Sequence, residues 1–270
     1  TTRMALASMS EIFERMARNG QEFWEVVLAD DMDERQVSRE ASMAKMLTTW
    51  QAMQDAADSY TGRKRSVSGL VGGDGMKMSQ YTFRGCAMTG GYVSEVIAEA
   101  LSMAESNACM RRIVAAPTAG ACGVLPAVLL PLCKYEELTQ HQLLEALYVA
   151  AGIGSIIAYK ASIAGASGGC QAEIGTASAM AAGALVALRG GEGEQIGHAV
   201  AMALKNLMGL VCDPVAGLVE VPCVKRNVIG AVNAVSAADM ALAGIESRIP
   251  VDEVIDAMGE VGRRMPVEFR

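Results

Sequence analysis

Aromatic residues are scarce in this chain of 270, which holds four Phe, two Trp and six Tyr. The β-branched and aromatic mix that builds sheets is therefore thin, and a sheet-based core is disfavoured. Only two histidines are present, His141 and His198, and neither lies near a cysteine in sequence. A structural zinc site normally wants four ligands, often with His, so it has little to draw on. Basic charge is also lacking. The net charge is −7, and no basic run exceeds Arg63-Lys64-Arg65. With no aromatic stacking platform beside that triplet, a nucleic-acid surface is excluded. The longest apolar run, 174–188, is broken by Thr176, Ser178 and small residues. It falls short of the roughly 20 residues a membrane span needs, so no membrane association is expected. No signal-peptide pattern is visible from Thr1 to Met4. With seven cysteines, an odd number, this points to a reducing cytoplasm and to thiols rather than disulfides.

What is abundant favours helix. Hydrophobic residues make up 51 % of the chain, and Ala, Met, Leu and Val supply the bulk. Apolar residues recur at helical spacing at Met9, Ile12, Phe13 and Met16, and again at Met43, Met46, Leu47, Trp50 and Met53. Two or three amphipathic helices are expected over 8–60, with Ser38 capping the longer one. From about residue 66 the chain turns glycine-rich and less charged. A helical N-terminal arm (1–65) therefore leads into a main body (66–270), the two forming one continuous structural unit. In the body, helices are expected over 92–110, 139–160 with Thr139 as N-cap, 173–188, 194–210, 224–243 and 251–263, the last starting after Pro250. Loops are expected over 115–126, 164–170 and 212–223, and a short strand could hide at Arg112-Ile113-Val114. The fold class is all-α or nearly all-α.

Three glycine-rich loops, 66–75, 115–123 and 164–170, carry hydroxyls at Ser68, Thr118 and Ser167. Glycine allows a ligand close to backbone N–H groups, and helix N-termini attract anions, so a small carboxylate would suit these loops. Ser68, Gly69, Thr118, Gly120, Ser167, Gly168 and Gly169 are the candidate substrate donors. No phosphate-binding fingerprint is present. Cys170, Cys212 and Cys223 also lie in bent loops, with 41 and then 10 residues between them. Such thiols beside helix starts are biased toward thiolate. Three thiolates on an iron–sulfur cluster would leave one iron without a protein ligand, and that iron could act as a Lewis acid. Spacing alone leaves a cluster, zinc or free thiols open. Cys86, Cys109, Cys122 and Cys133 sit among apolar or small neighbours and read as packing residues. His198, inside a helix, and Lys77, beside the first glycine loop, are candidate bases.

Several ordered strings carry a resemblance. Ser68-Gly-Leu-Val-Gly-Gly-Asp74, Ala115-Ala-Pro-Thr-Ala-Gly-Ala121 and Ser162-Ile-Ala-Gly-Ala166 are three of them. Gly168-Gly-Cys-Gln-Ala-Glu173, Gly209-Leu-Val-Cys-Asp-Pro-Val-Ala-Gly217, Val221-Pro-Cys223 and Asn233-Ala-Val-Ser-Ala-Ala-Asp239 follow. Together they resemble the α subunit, or catalytic domain, of the iron–sulfur-dependent L-serine dehydratases, from about Ser66 to the end. The resemblance implies a [4Fe–4S] cluster on Cys170, Cys212 and Cys223, and a mostly helical catalytic fold. It implies L-serine as substrate and dehydration to pyruvate and ammonia without pyridoxal phosphate. A separate β subunit or β domain is implied too, within a hetero- or homo-oligomer, and a His from that partner could act as base. Two other classes share the same iron chemistry: a cysteine desulfidase, and a non-catalytic cluster-binding or redox-sensing protein.

Overall fold

The computed structural model describes residues 6–270; residues 1–5, where the arm begins, lie outside the described residues. The arm forms α1 (Met9–Asn19), α2 (Phe23–Arg35) and α3 (Arg39–Asp58). The body forms α4 (Asp74–Phe83), α5 (Gly90–Ala108), α6 (Val124–Tyr135), α7 (Gln140–Lys160) and the short α8 (Gly165–Gly168). It continues with α9 (Thr176–Leu188), α10 (Gly193–Asn206), α11 (Cys223–Leu242) and α12 (Val251–Arg264). Among the described residues there is no strand, and Arg112-Ile113-Val114 is irregular chain. The all-α expectation holds.

Local chemistry explains most boundaries. The Ser8 and Ser38 hydroxyls accept from Glu11 N and Ala41 N, and Thr139 with Gln142 makes a capping box at α7. Two helices escaped the sequence pattern. The glycine-rich start of α4 has little intrinsic helix preference; the helix is anchored from outside by Glu105, described below. In α6, Pro126 sits in the first turn, where a missing N–H costs nothing. The segment expected to be loop up to residue 126 is therefore helical from Val124.

α9 is apolar all round, so it can only be a central helix. α7, α10, α11 and α6 surround it. Small residues allow close approach: a Cβ at Gly183 would strike Ile153, and one at Gly152 would strike Val27. A polar pin crosses this core. The Asn233 Nδ2 donates to Ser178 Oγ (2.9 Å) and to Ala203 O (3.0 Å), and Ser178 Oγ donates to Gly230 O (2.7 Å). Phe23, Trp24, Val27 and Trp50 of the arm belong to the same buried cluster as α7 and α9. α7 is the one described helix long and apolar enough to cross a membrane, yet 67 % of that stretch is buried inside the protein.

Glu99 on α5 makes one testable point. Its Oε1 is buried without a hydrogen-bond partner, and burial pushes its carboxyl up to about 6 from 4.5. The folded state therefore holds this proton over a range where the unfolded chain has released it. Stability falls as pH rises from about 4.5 through about 6, by roughly 2 kcal/mol in total. Glu99→Gln is expected to remove that slope, so that urea midpoints at pH 5 and pH 7.5 converge. An unchanged slope in the variant would place the titration elsewhere.

Candidate active site at three cysteine loops

Cys170 lies between α8 and a single π-turn (Gln171–Gly175) that leads into α9. Cys212 lies in the irregular segment after α10, and Cys223 is the first residue of α11. Three side chains, buried Gln171 and Asn227 and half-buried Arg226, tie these segments together. Gln171 is 1 % exposed; its Nε2 donates to Gly168 O (2.9 Å) and Met258 O (3.0 Å), and its Oε1 accepts from Gly209 N (2.9 Å). Its backbone N–H donates to Leu210 O at 2.9 Å, which places the Cys170 turn beside the Cys212 segment. Arg226 Nη1 donates to Val211 O (2.9 Å) and Asp213 Oδ1 (2.6 Å), and the guanidinium acts electrostatically on Cys170. Fully buried Asn227 donates to Gly120 O (2.9 Å) and Cys223 O (3.0 Å) and accepts from Gly123 N (3.0 Å). It thereby joins the 118–123 loop to the start of α11.

Glu173, on the π-turn, occupies the space between these loops. Its Oε1 accepts the Thr118 hydroxyl. A Cβ at Gly120 would lie 2.5 Å from Oε1; one at Gly165 would lie 3.1 Å from Oε2 and 3.5 Å from Cys212 Sγ. The carboxylate acts electrostatically on all three thiols.

The thiols are not biased toward thiolate as expected. Burial pushes Cys170 up to about 12, opposed by Arg226 and reinforced by Glu173. Burial and Glu173 raise Cys212 and Cys223 as well. Desolvation, reinforced by the Glu173 carboxylate, outweighs any benefit of a helix N-terminus. All seven cysteines are free. The packing role given to the other four holds for buried Cys122; Cys86, in the chain between α4 and α5, and Cys133 are exposed, and Cys109 is half-buried.

The glycine-loop donors turn out to be engaged internally. Ser68 Oγ donates to Glu220, as does Ser66 Oγ at 2.7 Å. These hydroxyls hold the Glu220 carboxyl below its usual range. A hydroxyl has one proton, so Thr118, aimed at Glu173, cannot also donate to a substrate carboxylate in this arrangement. The N-terminal N–H groups of α4 are filled by the protein's own anion: Glu105, 1 % exposed, accepts from Gly73 N (3.0 Å), Asp74 N (2.7 Å), Gly75 N (3.1 Å) and Tyr60 OH (2.5 Å). Gly69 N bonds Ser66 O, while Gly168 N and Gly169 N bond Ala164 O and Gly165 O. Ser167 Oγ pairs with Ser162 Oγ at 2.6 Å on the exposed side of the α8 turn.

His198 is not at the cysteines. Its Nδ1 accepts from Ser247 N at 3.1 Å, and its neighbour Gly197 packs on Phe13 and Val251. It lies eight residues, or about 12 Å along the axis, before the end of α10 that leads to Cys212. Lys77 is nearer the site, its Nζ 2.9 Å from Asp74 Oδ1 on the solvent side, with Lys225 Nζ 4.0 Å from the same carboxylate. His141 pairs with Glu145 at 2.9 Å on the surface. Glu173, Arg226, Asn227, Gln171, Glu105 and Glu220 were not singled out from sequence. A signal existed for two of them: Arg226 and Asn227 follow Cys223 by three and four residues, the spacing of one helix face.

No group of three His, Cys, Asp or Glu side chains is gathered as the ligands of a single metal ion would be, among the described residues. The three thiols nonetheless share Arg226 and Glu173, and Cys223 interacts electrostatically with both Cys170 and Cys212.

Residues 18–270 match the family described as "Serine dehydratase alpha chain". The chain is 46 % identical over 246 residues to a probable L-serine dehydratase alpha chain of Bacillus subtilis (strain 168), covering 91 % of this chain and 82 % of that one. It is 39 % identical over 261 residues to the L-serine dehydratase alpha chain of Peptoniphilus asaccharolyticus, covering 96 % and 89 %. L-serine dehydratase 2 of Escherichia coli (strain K12) is 47 % identical over 173 residues, which are 63 % of this chain and 38 % of that longer protein.

Proposed function

The chain belongs to the serine dehydratase alpha-chain family, and from that membership we propose that it is the catalytic part of a lyase that converts L-serine to pyruvate and ammonia with a [4Fe–4S] cluster held by Cys170, Cys212 and Cys223. The observation that carries this reading is the convergence of those three thiols, from three separate segments, on one space bounded by Arg226, Asn227 and Glu173. When bound, the cluster would supply an iron without a protein ligand, a Lewis acid for the departing β-hydroxyl.

The chain's own residues account for the shape of the site. Arg226 holds the Cys212 segment by Val211 O and offsets negative charge at Cys170. Asn227 fixes the loop bearing Thr118 and Gly120 against α11. In the overall reaction the Cα proton and the β-hydroxide leave serine, giving 2-aminoacrylate, which tautomerises and hydrolyses to pyruvate and ammonia. No histidine of this chain is at the cysteines, so a group from a partner is proposed as the base. The names of the relatives imply a β chain, and the matched part of the E. coli protein is a minority of its length. The free thiols fit a cytoplasmic setting.

The test is anaerobic reconstitution with iron and sulfide, followed by pyruvate formation from L-serine with and without the β chain. Pyruvate should form only from the iron-loaded protein. Activity should fall in air as iron is lost and return with ferrous iron and a thiol. Activity in the absence of iron, or a preference for cysteine over serine, would overturn the assignment.

A further inference from the structure

L-Serine brings an ammonium as well as a carboxylate and a hydroxyl, and a site that selects amino acids needs an acceptor for it. Glu173 and Asp213 act electrostatically on the cysteines, Glu220 lies three residues before Cys223, and Asp74 faces Lys225 two residues after it. Asp213 is paired with Arg226, Glu220 takes the hydroxyls of Ser66 and Ser68, and Asp74 is paired with Lys77. Glu173 differs: among the described residues no Lys or Arg forms an ion pair with it, and its hydrogen bond comes from the Thr118 hydroxyl to Oε1. Oε2 faces the gap between Gly165 and Cys212 Sγ.

The chain goes to some length to keep that carboxylate in place and uncovered. Glycines from two different loops stand against its two oxygens, and a Cβ at Gly120 would collide with Oε1. The Thr118 hydroxyl fixes the rotamer while leaving the second oxygen for another donor. The π-turn adds a residue just before α9 and aims Glu173 at the cysteines instead of along the α9 face; such insertions recur at functional sites. An unpaired carboxylate beside three sulfurs is a local excess of negative charge, which a small cation relieves.

We propose that Glu173 seats the α-ammonium of the substrate through Oε2 and so restricts the site to amino acids, an inference that rests on the dehydratase reading. The site then discriminates serine from hydroxy acids of the same length that lack the amine.

The experiment uses the reconstituted protein with its β chain. Cluster absorption and paramagnetic resonance are followed as L-serine or 3-hydroxypropionate is added, in wild type and in Glu173→Gln, a near-isosteric change that keeps an acceptor for Thr118. L-Serine affinity should drop about 10- to 100-fold in the variant, as for loss of a hydrogen bond to a charged group. Iron content and affinity for 3-hydroxypropionate should stay at wild-type levels. Unchanged serine affinity, or equal weakening toward both ligands, would overturn the ammonium seat. Loss of iron from Glu173→Gln would also overturn it, by making Glu173 a support of the cluster; Glu173→Asp, with its carboxylate withdrawn by one methylene, separates that outcome from misfolding. A wild-type protein that takes up a cluster but shows no response to L-serine would instead defeat the dehydratase reading itself.

Discussion

Cys212→Ser is expected to remain colourless after anaerobic incubation with iron and sulfide, under conditions that turn the wild-type protein brown. Cys170→Ser and Cys223→Ser should behave alike, with iron content near zero and no pyruvate formed. The reason is geometric. Each thiol comes from its own segment, and no other cysteine is positioned to replace it. Cys86 and Cys133 are exposed, with Sγ near Arg84 O and Leu129 O respectively. Cys109 lies just past the end of α5, and Cys122 is buried with its Sγ facing Met103 O. A serine hydroxyl is a poor substitute for a thiolate on iron. Ser substitutions at Cys86, Cys109 and Cys133 should leave the absorption intact. Full cluster content in Cys212→Ser would sink the ligand assignment, whatever the activity.

Glu105→Ala should lower unfolding stability by about 3–5 kcal/mol, because it strands buried donors with no acceptor. Three backbone N–H groups at the start of α4 and the Tyr60 hydroxyl all converge on this side chain. Burial and the Glu105 carboxylate push the Tyr60 phenol up, so the tyrosine remains a donor. Glu105→Gln keeps one carbonyl oxygen and should lose less. The urea midpoint gives the order wild type, Gln, Ala. Trypsin should also cut the chain after Arg63, Lys64 or Arg65 faster in the alanine variant, since the loop carrying Ser68 and Asp74 loses its anchor. A wild-type midpoint in Glu105→Ala would mean that water serves those N–H groups as well as the carboxylate does.

Glu105 also shows why the sequence was only partly legible. Helices announced by their own neighbours were readable: Ser38 and Thr139 cap, Pro250 precedes α12, and α9 is uniformly apolar. α4 was not readable, because what stabilises its first turn is a glutamate some thirty residues away. The cysteine loops were visible as bends carrying sulfur. What holds them in register was hidden, since Gln171, Arg226 and Asn227 look like ordinary polar residues until the backbones they bond are brought near. The glycine loops misled in an instructive way. Their donors are suited to anions, as expected, but the anions in place are Glu105, Glu173 and Glu220 of the chain itself.

The wide separation of the three thiols along the chain bears on how such a protein would mature. The three cysteines are spread along the chain, with 41 residues between the first pair and 10 between the second. The sulfurs meet only after α8, the π-turn, the segment following α10 and the start of α11 have docked through Gln171, Arg226 and Asn227. On the proposed cluster reading, the form that receives iron on all three sulfurs is the folded chain, in which burial pushes up the thiols of buried Cys170 and half-buried Cys212 and Cys223, so that loading would release protons. Loading would then be a late and pH-sensitive step in the life of the molecule, with folding before it.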